Sequence, residues 1–458
     1  MPSRPDSDTP FRILIAGDFG ATAAPAKPVF IDRDNFDHVM AQLKVGLELP
    51  GVGTMRFHSL DDFHPDHLFE SLELFRGLRE LRESVEDPET FRATATELMA
   101  PPEPRHESKP QPPADFLSSG SLLDDIVEAT ESPTASAAAP IRKADPFQKY
   151  LQALVAPHIV PRPDPKQGEM LQQVDNAIAA QMRALLHERR FQSLESAWRG
   201  LFFLVRHADT NAQLKIYLWN LSKKALAEDL LPATDLKKTT AYRVLVQETV
   251  STPGAQTWAL VAGNYAFGPS NHDVELLGRI ALLASAGGSP MIARAGAALL
   301  GDGPELALWQ ELQNLPESRY IGLALPGFLL RLPYGKETSE AERFPLEEMP
   351  GDPKHMDYLW GNPAFACATL IAEAFSESGW DMRPGDALDI SGLPLHVYKK
   401  DGESQLKPCA EVLMTEGEAT ALMERGLIPL LSMKDSDRVH VAGFRSIGGK
   451  PLAGRWDS

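Results

Sequence analysis

Residues 185–231 read LLHERRFQSLESAWRGLFFLVRHADTNAQLKIYLWNLSKKALAEDLL, and their pattern decides the fold class. Leu194, Trp198, Leu201 and Val205 recur at spacings of three and four, one face of an amphipathic helix. Glu188, Arg189, Arg190, Glu195 and Arg199 sit between them. The polar turn Asp209–Ala212 ends the helix. Leu214, Ile216 and Leu218 then alternate with Lys215 and Tyr217, as in a strand with one buried face. Asn220–Ser222 offers a cap to a second helix. Helix, turn, strand and helix in this order predict an α/β protein.

Outward from this nucleus, the same grammar recurs. Towards the C-terminus, strands are expected at 257–262, 290–293, 320–325, 395–398 and 439–441. Helices are expected at 274–285, capped by Asp273, and at 358–378, closed by Gly379. The helix before the nucleus runs from Met170 to Arg206 and is expected to break near Glu188–Arg190. Towards the N-terminus, residues 1–10 read as a disordered lead-in and Phe11–Ala16 (FRILIA) as a buried strand. A helix carrying Phe36, Val39, Met40 and Leu43 follows, then a strand at 55–60. A further helix, capped between Asp62 and Pro65, holds Leu68, Leu72, Phe75 and Leu78. This small α/β unit spans 11–99. Residues 100–145 are rich in Pro, Ser, Ala and Glu, too poor in apolar surface to offset chain entropy, and read as a flexible linker. Within it, Ser121–Thr130 places Leu122, Leu123, Ile126 and Val127 on one helical face beside Asp124. Alone it is too short to be stable, so it is a candidate docking peptide or a segment that packs on its own protein. A larger domain, 146–458, opens on a helix at 147–160.

The chain has 458 residues and a formal net charge of -18, with 43% hydrophobic residues. A sizeable core is possible, and a nucleic-acid backbone is a poor partner for so acidic a chain. Cys367 and Cys409 stand far apart and in no CxxC pattern, which argues against a disulfide framework or zinc site. The polar N-terminus and the lack of eighteen consecutive apolar residues predict a soluble, cytoplasmic protein.

No catalytic constellation emerges. Gly17-Asp-Phe-Gly20 contains the DFG tripeptide, but the other kinase signatures are missing and a turn after a strand explains it. His64, Asp66 and His67, or His355 and Asp357, could ligate a metal; capping by the aspartates suits the spacing better. Gly287-Gly288-Ser289 and Gly301-Asp-Gly303 match neither a P-loop nor a dinucleotide fingerprint.

Phe191–Val205 (FQSLESAWRGLFFLV) and Leu214–Leu230 (LKIYLWNLSKKALAEDL) resemble the large subunit (TssC) of the type VI secretion contractile sheath. Further blocks follow in that family's order: 260–267, 318–326, 331–335, 358–362, 378–380, 411–415 and 426–430. Phe11–Gly20, Ile31–Phe36 and Ser59–Asp66 resemble the small subunit (TssB). The resemblance implies a small N-terminal α/β unit packed on a larger layered, mostly parallel α/β sheath-type domain, the two fused through the linker. It implies a structural, non-enzymatic sheath component without cofactors in the bacterial cytoplasm. Its partners would be other sheath subunits and inner tube or baseplate proteins. The segment Leu122, Leu123, Asp124, Ile126 and Val127 resembles the one read by the AAA+ ATPase that recycles contracted sheath. Phe191, Trp198, Trp219, Tyr358 and Trp360 form the expected core and assembly signature. The chain stops at Ser458, short of the family's last segment, so a C-terminally truncated large-subunit domain is expected. The alternative is an accessory or adaptor that caps, nucleates or links the sheath. A remote one is an enzyme on a borrowed fold, gathering His355, Asp357 and Asp386.

Overall fold

A computed structural model describes residues 5–22, 27–88, 90–91, 165–252, 254–301, 306–400 and 402–457. The linker, the docking segment with Leu122, Leu123, Asp124, Ile126 and Val127, and the helix expected at 147–160 lie outside the described residues. The chain divides into two compact units. The first comprises Met1–Leu68, Ala184–Ala341 and Leu346–Ser458; the second comprises Phe69–Arg183 and Glu342–Pro345.

In chain order the strands are β1 (Phe11–Gly17), β2 (Val29–Ile31), β3 (Val45–Leu49), β4 (Gly53–Phe57), β5 (Leu214–Asn220), β6 (Leu260–Phe267), β7 (Met291–Ala295) and β8 (Ile321–Leu325). They continue with β9 (Phe328–Leu329), β10 (Trp360–Gly361), β11 (Asp389–Ile390), β12 (Val397–Lys400), β13 (Glu403–Leu406), β14 (Leu427–Ser432) and β15 (Val439–Val441). The main helices are α1 (Phe36–Leu43), α2 (Pro65–Ser71), α3 (Arg76–Glu86), α4 (Pro165–Leu186), α5 (Arg189–His207) and α6 (Lys223–Leu230). After them come α7 (Asn271–Gly287), α8 (Leu306–Gln313), α9 (Pro363–Ser378) and α10 (Glu416–Glu424).

The first unit is built on a nine-stranded sheet in the order β11-β15-β14-β8-β7-β6-β1-β5-β2. From β14 to β5 the strands are parallel; β2 at one edge runs antiparallel to β5, and at the other edge β15 runs antiparallel to both β14 and the outermost strand β11. The expected mixed α/β class and large, mostly parallel sheet are both present. Strand β1 lies inside this sheet, with Ile13 paired to Ile216 of β5 on one side and to Leu260 of β6 on the other. Its apolar run Ile13–Gly17 fits a strand covered on both faces. Leu14 and Ala16 join the core built by Leu226 and Leu230 of α6 and Leu276, Leu277 and Ile280 of α7. Alternation sends Phe11, Ile13 and Ile15 to the opposite face, where Phe11 meets Phe375 of α9 at 4.5 Å and Trp380 at 5.2 Å. On that face α5 also packs on α9. The crossing is close because a Cβ on Gly200 of α5 would lie 2.5 Å from the Phe365 ring.

The opening stretch forms as read. The helix expected at 170–206 breaks between α4 and α5, and the Glu188 carboxylate caps α5 by accepting from Phe191 N–H at 2.8 Å. Ser222 Oγ caps α6 through Ala225 N–H at 3.1 Å. Three local expectations shift. The helix expected from Tyr358 begins at Pro363, because Asn362 caps it and Tyr358–Gly361 is extended, including β10. Ser270, rather than Asp273, caps α7; the Asp273 carboxylate instead accepts from Gly268 N–H at 2.8 Å. The helix expected to hold Leu68, Leu72, Phe75 and Leu78 is interrupted at Leu72, whose backbone is extended. Residues 5–10 form a turn from Thr9 N–H to Asp6 C=O, and Thr9 C=O accepts from Trp380 Nε1 at 2.7 Å.

The second unit has its own small core of Val85, Phe91 and Met170, flanked by Leu81 and Leu171. Arg82 Nε pairs with Asp175 Oδ1 at 2.8 Å, and buried Gln167 donates to Val85 C=O at 2.8 Å. Phe69 meets Phe75 at 5.7 Å and Phe344 at 4.9 Å.

Because Ile13 is fully buried between two neighbouring strands, Ile13→Asp should abolish the cooperative unfolding transition. Ile13→Val should cost only about 0.5–1.5 kcal/mol. Phe30→Ala, at the half-exposed edge strand β2, should change stability by less than either. Urea unfolding followed by circular dichroism checks the ranking; a folded, wild-type-like Ile13→Asp protein would show that β1 is dispensable.

Candidate functional site

Taken in chain order, β1, β5, β6, β7 and β8 lie in the spatial order 2-1-3-4-5. A doubly wound sheet of that order offers a ligand crevice at the carboxyl ends of its first and third strands. Here that crevice is filled by the chain. The turn after β1 folds back on itself, with Asp18 Oδ1 accepting from Gly20 N–H at 3.1 Å. Phe19 is fully buried, its C=O accepting from Trp198 Nε1 at 3.0 Å and its N–H donating to Asn220 Oδ1 at 2.8 Å. At Gly17 a Cβ would lie 2.7 Å from Asn264 Cβ. The DFG tripeptide is therefore a packed turn.

The residues singled out for chemistry are dispersed. His355 Nδ1 lies 3.2 Å from Lys407 Nζ. Asp357 faces His187 at 3.8 Å. Asp386 accepts from Arg383 N–H at 2.7 Å in its own turn. His64 Nδ1 lies 3.5 Å from Asp66, while His67 faces Asp62 at 3.9 Å. Asp62 is spent on a capping box with Ser59. Among the described residues, no group of three or more His, Cys, Asp or Glu is placed to hold a metal. Cys367 and Cys409 are buried and free. A groove of about 700 Å³ is lined by Lys223, Lys224, Glu228, His272 and Asp273, and its Lys223 ammonium is already paired with Asp273 at 2.6 Å.

Ionisable groups converge instead on a buried centre. Arg331 donates from Nε to Glu195 Oε1 at 2.8 Å and from Nη1 to Glu348 Oε2 at 2.7 Å. Both carboxylates are buried. Arg199, one turn after Glu195 on α5, donates to Glu195 Oε1 at 2.7 Å and to the Tyr334 hydroxyl at 3.0 Å. Tyr334 N–H donates to Glu348 Oε2 at 2.7 Å, and the Arg331 guanidinium lies 4.2 Å from the Tyr334 ring centroid. His187 Nε2 stands 3.4 Å from Glu348 Oε1. Two carboxylates and two guanidiniums balance. Burial alone would raise the Glu348 carboxyl, but Arg331, the nearby His187 and the Tyr334 N–H outweigh it and hold it at about 2. The network ties α5 to the segment 331–348. Its signal in the sequence is charge where the pattern calls for apolar side chains: Glu195 stands on the face of Phe191 and Trp198, and Arg331 between Leu330 and Leu332.

The aromatic signature is largely internal. Phe191 meets Phe63 at 5.8 Å and Phe57 at 6.2 Å, and those two rings stack at 4.2 Å. Trp198 lies between Phe19 at 5.3 Å and Phe36 at 5.7 Å. Trp219 belongs to the main core. Tyr358 is buried with its hydroxyl 2.7 Å from His396 Nδ1, whereas half-buried Trp360 donates to His355 C=O at 3.0 Å. The aromatic rings that meet Phe191 and Trp198 come from residues 19–63, so these rings join the first stretch of the chain to α5.

Comparison with known proteins places two families on this frame. Residues 168–303 and 300–448 match the VipB family (EvpB, tail sheath N-terminal domain). Residues 3–98 match the type VI secretion system VipA family. Over 297 residues the chain is 33% identical to the type VI secretion system sheath protein TssC1 of Pseudomonas aeruginosa. That alignment covers 60% of this chain and spans 60% of the relative's length.

The buried centre has a pH signature. The Glu348 carboxyl titrates lower in the folded chain than in the unfolded one, so its contribution is complete above about pH 4.5 and is lost as pH falls towards about 2. Glu348→Gln should flatten the loss of melting temperature over that range. Arg331→Met should cost about 3–5 kcal/mol at pH 7 by leaving buried Glu348 without an arginine partner and Glu195 with Arg199 alone. Melting curves from pH 2 to 7 check both; an Arg331→Met protein as stable as wild type would remove the centre from any structural role.

Proposed function

The tail-sheath match extends over more than half of the chain, so the protein belongs to the type VI contractile tail-sheath family, and we propose that it is a structural sheath subunit with both sheath partners in one polypeptide. The observation that carries this reading is the place of β1. A strand from the VipA-matched segment pairs on both edges with β5 and β6 of the VipB-matched segment. Fusion would fix the two parts at one to one and raise their effective concentration.

A non-enzymatic role is supported by the filled switch-point crevice and by the use of the buried charges for holding segments together. Contraction would then draw on energy stored in subunit packing, without bond chemistry in the subunit. The partners proposed are other sheath subunits, inner tube or baseplate proteins, and an AAA+ ATPase recognising Leu122, Leu123, Asp124, Ile126 and Val127. The place of action would be the bacterial cytoplasm; among the described residues, no helix is long and apolar enough to cross a membrane.

Negative-stain microscopy of the purified protein, alone and mixed with separately encoded sheath subunits, should show helical tubes containing it. Monodisperse particles under both conditions would reject the subunit reading. A fluorescent peptide of residues 118–132 should bind the ATPase in an anisotropy titration and Leu123→Asp should abolish it, because the apolar face would carry a buried charge. No binding at high micromolar concentration would remove the ATPase from the list of partners.

A further inference from the structure

Among the described residues, strands β12 and β13 pair only with each other. Their residues are largely exposed, including the facing apolar pair Val397 and Leu406. A two-stranded hairpin is marginal by itself in water, so the contacts at its base decide whether it stays ordered. That base is polar. Lys407 N–H donates to His396 C=O at 2.8 Å, and His396 Nδ1 lies 2.7 Å from the Tyr358 hydroxyl. The Lys407 ammonium lies 4.8 Å from the Tyr358 ring centroid, 5.6 Å from that of Trp360 and 3.2 Å from His355 Nδ1.

The last contact dictates a protonation state. An ammonium only donates, so His355 Nδ1 must accept, which requires a neutral ring with its proton on Nε2. A second proton turns the acceptor into a donor and sets two cations 3.2 Å apart. We propose that His355 and Lys407 form a pH-sensitive latch on the β12–β13 hairpin, closed while His355 is neutral and released when it is protonated.

The groups facing the latch support this direction. Glu411 is the carboxylate that would favour His355⁺, and it is already bound to Arg294 at 2.6 Å and Gly327 N–H at 2.9 Å. Glu348, which faces His396, is held by Arg331. Asp357 turns towards His187. Lys354, next in the chain, adds positive charge, and Tyr398 lies against His396 with ring centroids 5.8 Å apart. Burial and then Lys407 push the His355 proton affinity down, and the same two causes act on His396. A folded-state value below the ordinary 6.5 means that the closed state is favoured fully above about pH 6.5 and is lost as pH falls below it.

Hydrogen–deuterium exchange of the full chain at pH 7.5 and pH 5, corrected for intrinsic exchange, tests the latch. Peptides covering 396–407 should exchange severalfold faster at pH 5, while peptides from β6 stay unchanged. His355→Gln keeps an acceptor that does not titrate, and Lys407→Met keeps the stem over the two rings without its charge. Each should leave the hairpin equally protected at both pH values. Equal protection in the wild type, or an undiminished pH response in either variant, would overturn the proposal.

Discussion

The hydrogen bonding of β1 on both edges is the constraint on which the sheet depends. Without that strand, β5 and β2 would have no connection to β6 and the strands beyond it. The side chains of β1 are shared between the two helical layers, Leu14 and Ala16 with α6 and α7, Phe11 with α9. Aromatic contacts repeat the connection away from the sheet: Phe19 and Phe36 on Trp198, Phe57 and Phe63 on Phe191. The segment matched to one sheath family is therefore a structural part of the domain matched to the other.

The charged centre around Arg331 makes a different contribution. Apolar packing of β1 is non-directional and would tolerate neighbouring arrangements of similar volume. Arg331 accepts only a geometry in which Glu195 on α5 and Glu348 on a distant loop present carboxylates to the two sides of one guanidinium. Desolvating four charges brings little net stability, since the attraction roughly offsets the loss of hydration. What it gives is a specific register between α5 and the 331–348 segment.

The parts legible in the sequence are those with short-range causes. The break at Glu188, the alternation in β5 and the cap at Ser222 each follow from residues within a few positions, and each forms as read. Local competition explains the shifted boundaries: Ser270 and Asp273 both suit a cap, and only their place relative to Gly268 decides between them. Pro363 fits the first turn of α9 so well that it marks a beginning where periodicity alone extends the helix back to Tyr358. The insertion of β1 has no short-range cause. FRILIAG is equally consistent with a strand of a separate small unit, and its partners lie about two hundred to two hundred and fifty residues away. The Arg331 centre was only half legible: Glu195 and Arg331 each stand where the pattern calls for an apolar side chain, but nothing local pairs them with each other or with Glu348, more than a hundred and fifty residues beyond Glu195.

The position of β1 also bears on how the chain is made. Synthesis delivers FRILIAG before its neighbours, with Ile216 emerging about two hundred and Leu260 about two hundred and fifty residues after Ile13. Until then, a strand largely apolar on both faces and unpaired on both edges must wait on the ribosome. Non-local parallel pairing of this kind closes slowly and leaves such strands open to misassociation. In a single polypeptide the waiting strand is at least tethered to its own partners, so the search ends within one chain.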